Sequence, residues 1–135
     1  MKQPEKILIE NSLEKSNQAL QDAYSNIDGS LAVAQNRAYY AVFYTVLALG
    51  YLDGFTTAKH HQLMGWFNKK YIYQDKIFDS SLAKIYNTLL INREKSDYDV
   101  TQRPVREDII KDIDAAKVFL ETVKSYINGR LKNIC

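Results

Sequence analysis

A few polar residues set within helical, apolar stretches are the chain's candidates for chemistry. Arg93 and Asp97 stand four apart, so a helix puts them on one face, with Asn92 just before and Tyr98 just after. Arg93 has two readings. It is either solvated and paired with Asp97 on its own helix, or it faces a cleft where its planar fork holds a phosphate. Arg37 precedes Ala38-Tyr39-Tyr40 and shares a helix face with Ala41, Tyr44 and Ala48. A guanidinium on such a face is costly without a partner, and Asp97 is the expected one. His60 and His61 are adjacent and point to different faces, which does not make a two-histidine metal site. The carboxylates are scattered, with no recurring Glu-x-x-His of a di-iron bundle. The chain also has no Gly-rich phosphate loop, Gly-x-Ser-x-Gly elbow or His-Glu-x-x-His pair. Neither a metal nor a cofactor is expected.

These residues must be positioned by helices, because the apolar residues recur at helical spacing almost throughout. From Glu5 to Ile27 they fall at Ile9, Leu13, Leu20, Tyr24 and Ile27. Asp28-Gly29-Ser30 then reads as a stop, with Gly29 suited to a left-handed cap and Ser30 to capping the next helix. The second helix, Leu31 to about Leu52, is apolar on nearly every side and should be central to a bundle. A third, about Lys59 to Tyr71, presents Leu63, Met64, Trp66 and Phe67. A fourth, Asp75 to about Tyr98, carries Phe78, Leu82, Ile85 and Leu89 on one stripe. Pro104 fits the first turn of a fifth, whose stripe runs Ile109, Ile113, Ala116, Leu120, Val123, Ile127. No run alternates at period two. The class is all-α, an up-and-down bundle of four or five helices.

The chain of 135 residues is long enough for one domain with its own core, and residues 1–135 read as that domain. A net charge of +2 is too small for a protein that coats a nucleic-acid duplex, but leaves room for a local basic pocket. The single cysteine, Cys135, excludes an internal disulfide. The longest apolar stretch, Ala38 to Leu52, is shorter than the ~20 residues of a membrane span. The N-terminal run is broken by Glu10 and Asn11, unlike a signal peptide. The expected compartment is the cytoplasm. Ten tyrosines imply a polar-edged core or a contact surface.

Asn36-Arg37-Ala38-Tyr39-Tyr40-Ala41-Val42-Phe43, then His60, then Arg93-Glu94-Lys95-Ser96-Asp97-Tyr98, resemble the HEPN family (higher eukaryotes and prokaryotes nucleotide-binding), in its small stand-alone prokaryotic branch. The resemblance spans about residues 10 to 130. It implies a helical bundle that is usually a homodimer. Many members act as the toxin partner of a minimal nucleotidyltransferase, and the active ones are metal-independent endoribonucleases. Their motif is an arginine followed by a histidine, with two protomers meeting at the dimer cleft. Arg93 matches the motif arginine, while Tyr98 stands where the histidine is expected, and no histidine follows His61. An imidazole near pKa ~6.5 serves as base and acid at neutral pH, whereas a phenol near ~10 is a poor base. Arg93 could still hold phosphate and stabilise developing charge. Cleavage would then need His60 or Tyr98. Some members also carry a tyrosine near the motif that the partner transferase adenylylates. Tyr98 is the matching candidate, at a different spacing.

Three readings follow. The first is a dimeric module of the toxin–antitoxin or defence type that binds nucleotide or RNA, or docks a nucleotidyltransferase, without cutting. Asn92, Arg93, Asp97 and Arg37 would be its binding residues. The second is a divergent ribonuclease toxin using Arg93 with Tyr98 or His60. The third is a structural bundle without a ligand.

Overall fold

The computed structural model describes residues 5–98 and 103–134, apart from the side chains of Asp97, Tyr98 and Ile134. Five α-helices follow in order: α1 (Lys6–Ser25), α2 (Leu31–Asp53), α3 (His60–Phe67), α4 (Ser80–Tyr98) and α5 (Arg106–Ile134). A π-helical segment, Asn68–Gln74, extends α3. Among the described residues there is no strand, so the fold is all-α, as the periodicity predicts.

The apolar character of α2 makes it the centre, and it packs against α1, α3, α4 and α5. Ser30 caps it as expected, its side chain accepting from the Val33 amide at 3.2 Å. The left-handed glycine is Gly54, which ends α2 at φ 76°. Gly29 has no such conformation, because α1 closes earlier, at Asn26. The stripe predicted for α5 is buried at every position, from Ile109 to Ile127.

Three expectations change. The buried seam of α1 is Ile9, Ser12, Ser16, Ala19 and Ala23, a row of mostly small side chains that lets α1 lie close on α2. Tyr24, expected inward, is 38% exposed and donates its hydroxyl to Asp114 at 3.1 Å. Helix α4 begins at Ser80 rather than Asp75. The backbone turns at Lys76 (φ 51°), and the Asp79 carboxylate accepts from the Ser81 amide at 2.9 Å. Phe78 is buried from that loop, and Tyr86 rather than Ile85 completes the inward face of α4.

An ion-paired cluster locks one end of the bundle. Arg130 on α5 donates to Asp53 at the end of α2 at 2.7 Å and to the Tyr126 hydroxyl at 3.2 Å. Tyr71 donates its hydroxyl to the other Asp53 oxygen. Burial, and then the Asp53 carboxylate, hold the Tyr71 phenol well above its usual range, so it keeps that proton.

Candidate functional site

The candidate site lies where the middle of α2 meets the start of α3 and the last turns of α4. On α2, Tyr39 points into the core and Tyr40, one position on, is half-buried. His60, the first residue of α3, stacks on Phe43 at 4.5 Å between centroids and on Tyr39 at 5.5 Å, and meets Tyr40 edge-on at 5.7 Å. Its Nδ1 lies 2.6 Å from the Tyr39 hydroxyl.

The direction of that bond decides what His60 can do. Tyr39 is fully buried, burial keeps its phenol protonated, and His60 Nδ1 is the hydroxyl's one hydrogen-bond partner among the described residues, so the hydroxyl donates to it. The proton of the neutral ring is thereby assigned to Nε2. Burial first, then the charge of Arg93 and then His61, hold the imidazole below its ordinary 6.5. At neutral pH the ring is neutral and offers one N–H donor.

Two arginines close on the same aromatic pair. The Arg93 guanidinium carbon lies 5.3 Å from the ring centroids of both Tyr39 and Tyr40. That of Arg37 lies 4.9 Å from Tyr40. Asn36 Oδ1 accepts from Arg37 Nε at 3.1 Å and from Nη2 at 2.8 Å, which fixes the fork over the ring. Each such contact contributes about 0.5–2 kcal/mol, depending on how dry it is. Asn36, Arg37, Tyr40, His60 and Arg93 are all half-buried, so the group borders solvent. On the next position of α3, His61 pairs with Glu94 at 3.1 Å. Both are substantially exposed, and the pair adds at most about 1 kcal/mol.

The sequence candidates therefore separate. Arg37, His60 and Arg93 come together on one aromatic face. Asn92 does not join them: its Nδ2 turns to α5 and donates to Asp112 at 3.1 Å. Arg37 takes Asn36 and Tyr40 as partners on its own helix, and its expected pairing with Asp97 falls outside the described residues. Asp97 and Tyr98 end α4, but their side chains lie outside the described residues, and with them the roles expected of both. The residues that sequence reasoning missed are Tyr39 and Tyr40 as ring partners, and Asp112 with Gln35 behind Asn92. The Tyr39-Tyr40 pair directly after Arg37 was the available signal. Asp112 gave none, because it sits among other charged residues at the start of α5.

A face with two guanidinium forks, one imidazole N–H and flat rings has the chemistry of a phosphate and base binder. Among the described residues, no group of three or more His, Cys, Asp and Glu side chains could hold a metal ion. No helix there is long and apolar enough to cross a membrane.

Comparison with known proteins bears on the family. The HEPN domain pattern matches residues 9–126. A UPF0332 protein of Thermotoga maritima is 31% identical over 128 residues, covering 94% of this chain and 96% of the relative. A protein of Methanocaldococcus jannaschii named “putative toxin” is 30% identical over 120 residues, covering 89% of this chain and 79% of its own. With its five-helix bundle and this match over most of its length, the chain belongs to the HEPN domain family.

Proposed function

We propose that this protein is a binding module of the toxin-type HEPN class, which holds the phosphate of a nucleotide or an RNA strand without cutting it. The observation that carries the reading is the approach of Arg93 and Arg37 to the ring of Tyr40, at 5.3 and 4.9 Å, beside the His60 N–H. Guanidinium forks and an N–H donor recognise phosphate, and the tyrosine ring gives a base a surface to stack on. The named relative from Methanocaldococcus supports the toxin-type setting. In that setting the module works as a homodimer in the cytoplasm, and a minimal nucleotidyltransferase is its partner.

A second reading, a metal-independent ribonuclease, is favoured by one observation: His60 and Arg93 sit on the same two rings. Against it stands the proton assignment. A ribonuclease base must accept the ribose 2′-proton, whereas His60 has Nδ1 occupied by Tyr39 and a proton on Nε2. The test incubates purified protein with total and transfer RNA in EDTA, beside Arg93→Ala. Binding without cleavage, weakened in the variant, is the expected result. Cleavage by wild type that Arg93→Ala abolishes would replace this reading with the second. Equal binding by both proteins would remove both readings.

A further inference from the structure

A cleft of about 220 Å³ opens between α2, α4 and the start of α5. Its floor is the Asp112 carboxyl, which accepts from Asn92 at 3.1 Å and is also hydrogen-bonded by Gln35. One residue comes from each of three helices, and Gln35 is only 8% exposed. Burial raises the Asp112 carboxyl above its ordinary value despite those two donors. A half-dry carboxylate is compensated best by N–H donors. One wall is apolar, with Pro104 and Val105, the latter left 55% exposed; Lys95 and Arg103 stand at the rim.

We propose that this cleft seats the guanine base of a nucleotide whose phosphate lies on the Arg93–Tyr40 face. The inference rests on the reading above and adds base selectivity to it. Of the four RNA bases, only guanine presents two neighbouring donors, N1–H and the 2-amino group, to match the two acceptor oxygens of one carboxylate. Its O6 lies alongside, within the donor chemistry of the Asn92 and Gln35 amides. The cleft is below the ~300 Å³ at which pockets take larger ligands, so it suits a single ring system against the Pro104–Val105 wall. Both sites draw on the same stretches of α2 and α4, with Gln35 and Asn92 at the cleft and Arg37 and Arg93 at the aromatic face.

The test titrates GMP, AMP, CMP, UMP and IMP calorimetrically, in EDTA, against wild type, Asp112→Asn and Arg93→Ala. Wild type should bind GMP about tenfold more tightly than the other four. IMP keeps O6 and N1–H but lacks the 2-amino group, so it should fall to the level of AMP. This arm needs no variant to fold. Asp112→Asn puts an amide donor where an acceptor was, and should abolish the preference for GMP over the other four. Arg93→Ala should weaken all five alike. Equal binding of all five by wild type, equal binding of GMP and IMP, or a GMP preference that survives Asp112→Asn would overturn the guanine assignment and leave the phosphate reading standing. Affinities unchanged in Arg93→Ala, or no binding by wild type of any of the five, would overturn the phosphate reading as well.

Discussion

The Tyr39 hydroxyl and His60 Nδ1 meet at 2.6 Å across the junction of α2 and α3, inside the same group of rings that Arg93 approaches. That single bond sets the tautomer of the one histidine at the site. It also ties the first residue of α3 to the middle of the central helix.

Tyr39→Phe keeps the ring and removes the bond. It should cost about 1–2 kcal/mol in urea unfolding, because the His60 nitrogen loses its donor in a partly buried place. Imidazole ¹⁵N shifts of the wild type should show the proton on Nε2. A proton on Nδ1 would reverse the bond's direction and restore His60 as a candidate base.

The depressed pKa of His60 makes stability depend on pH in a stated direction. The unfolded chain takes up the proton near ~6.5 and the folded chain only at lower pH. The contribution is thus fully present above that value and is lost as pH falls through it toward the folded pKa. Unfolding free energy should decline on acidification below about 6.5, and His60→Gln should flatten that part of the profile. An unchanged slope in the variant would assign the dependence elsewhere.

Asp53 holds Arg130 and Tyr71 together with its side chain only 7% exposed, whereas that of Arg130 is 33% exposed. Asp53→Ala strands both partners, and should cost about 3 kcal/mol, the low end for a broken buried pair because Arg130 reaches water. A double-mutant cycle with Arg130→Met should give a coupling of about 1–3 kcal/mol. Additive losses would show that the pair does not act as a unit.

Two glycine substitutions should move stability in opposite directions. A Cβ on Gly50 would fall 2.4 Å from the Phe55 carbonyl oxygen, so Gly50→Ala forces the chain after α2 to shift. It should cost about 2 kcal/mol or more. Gly129 lies inside α5 with nothing within 4 Å of a Cβ, and Gly129→Ala should stabilise by about 1 kcal/mol. Thermal melts of the two variants on either side of wild type are the check.

How far the sequence could be read depended on residue type. The α5 stripe was legible because each inward position is apolar, from Ile109 to Ile127. The α1 seam was not, because Ser12, Ser16, Ala19 and Ala23 are buried for their smallness, which apolar periodicity does not register. At the site, Arg37, His60 and Arg93 stood out as polar residues in apolar surroundings, and the fold brings them together. Asn92 stands apart from that group because neighbours on a helix differ by about 100°, which sends it toward α5 while Arg93 faces α2. The Asp53–Tyr71–Arg130 cluster draws on positions far apart in the chain, and no local pattern could have joined them.

The most direct measurement is the affinity of a short single-stranded RNA for wild type and Arg93→Ala in EDTA, with the RNA recovered afterwards on a gel. Phosphate binding through Arg93 predicts intact RNA in both samples and binding at least about tenfold weaker in the variant, as expected for a lost charge-assisted contact. Equal affinities, or RNA cut by wild type alone, would contradict it.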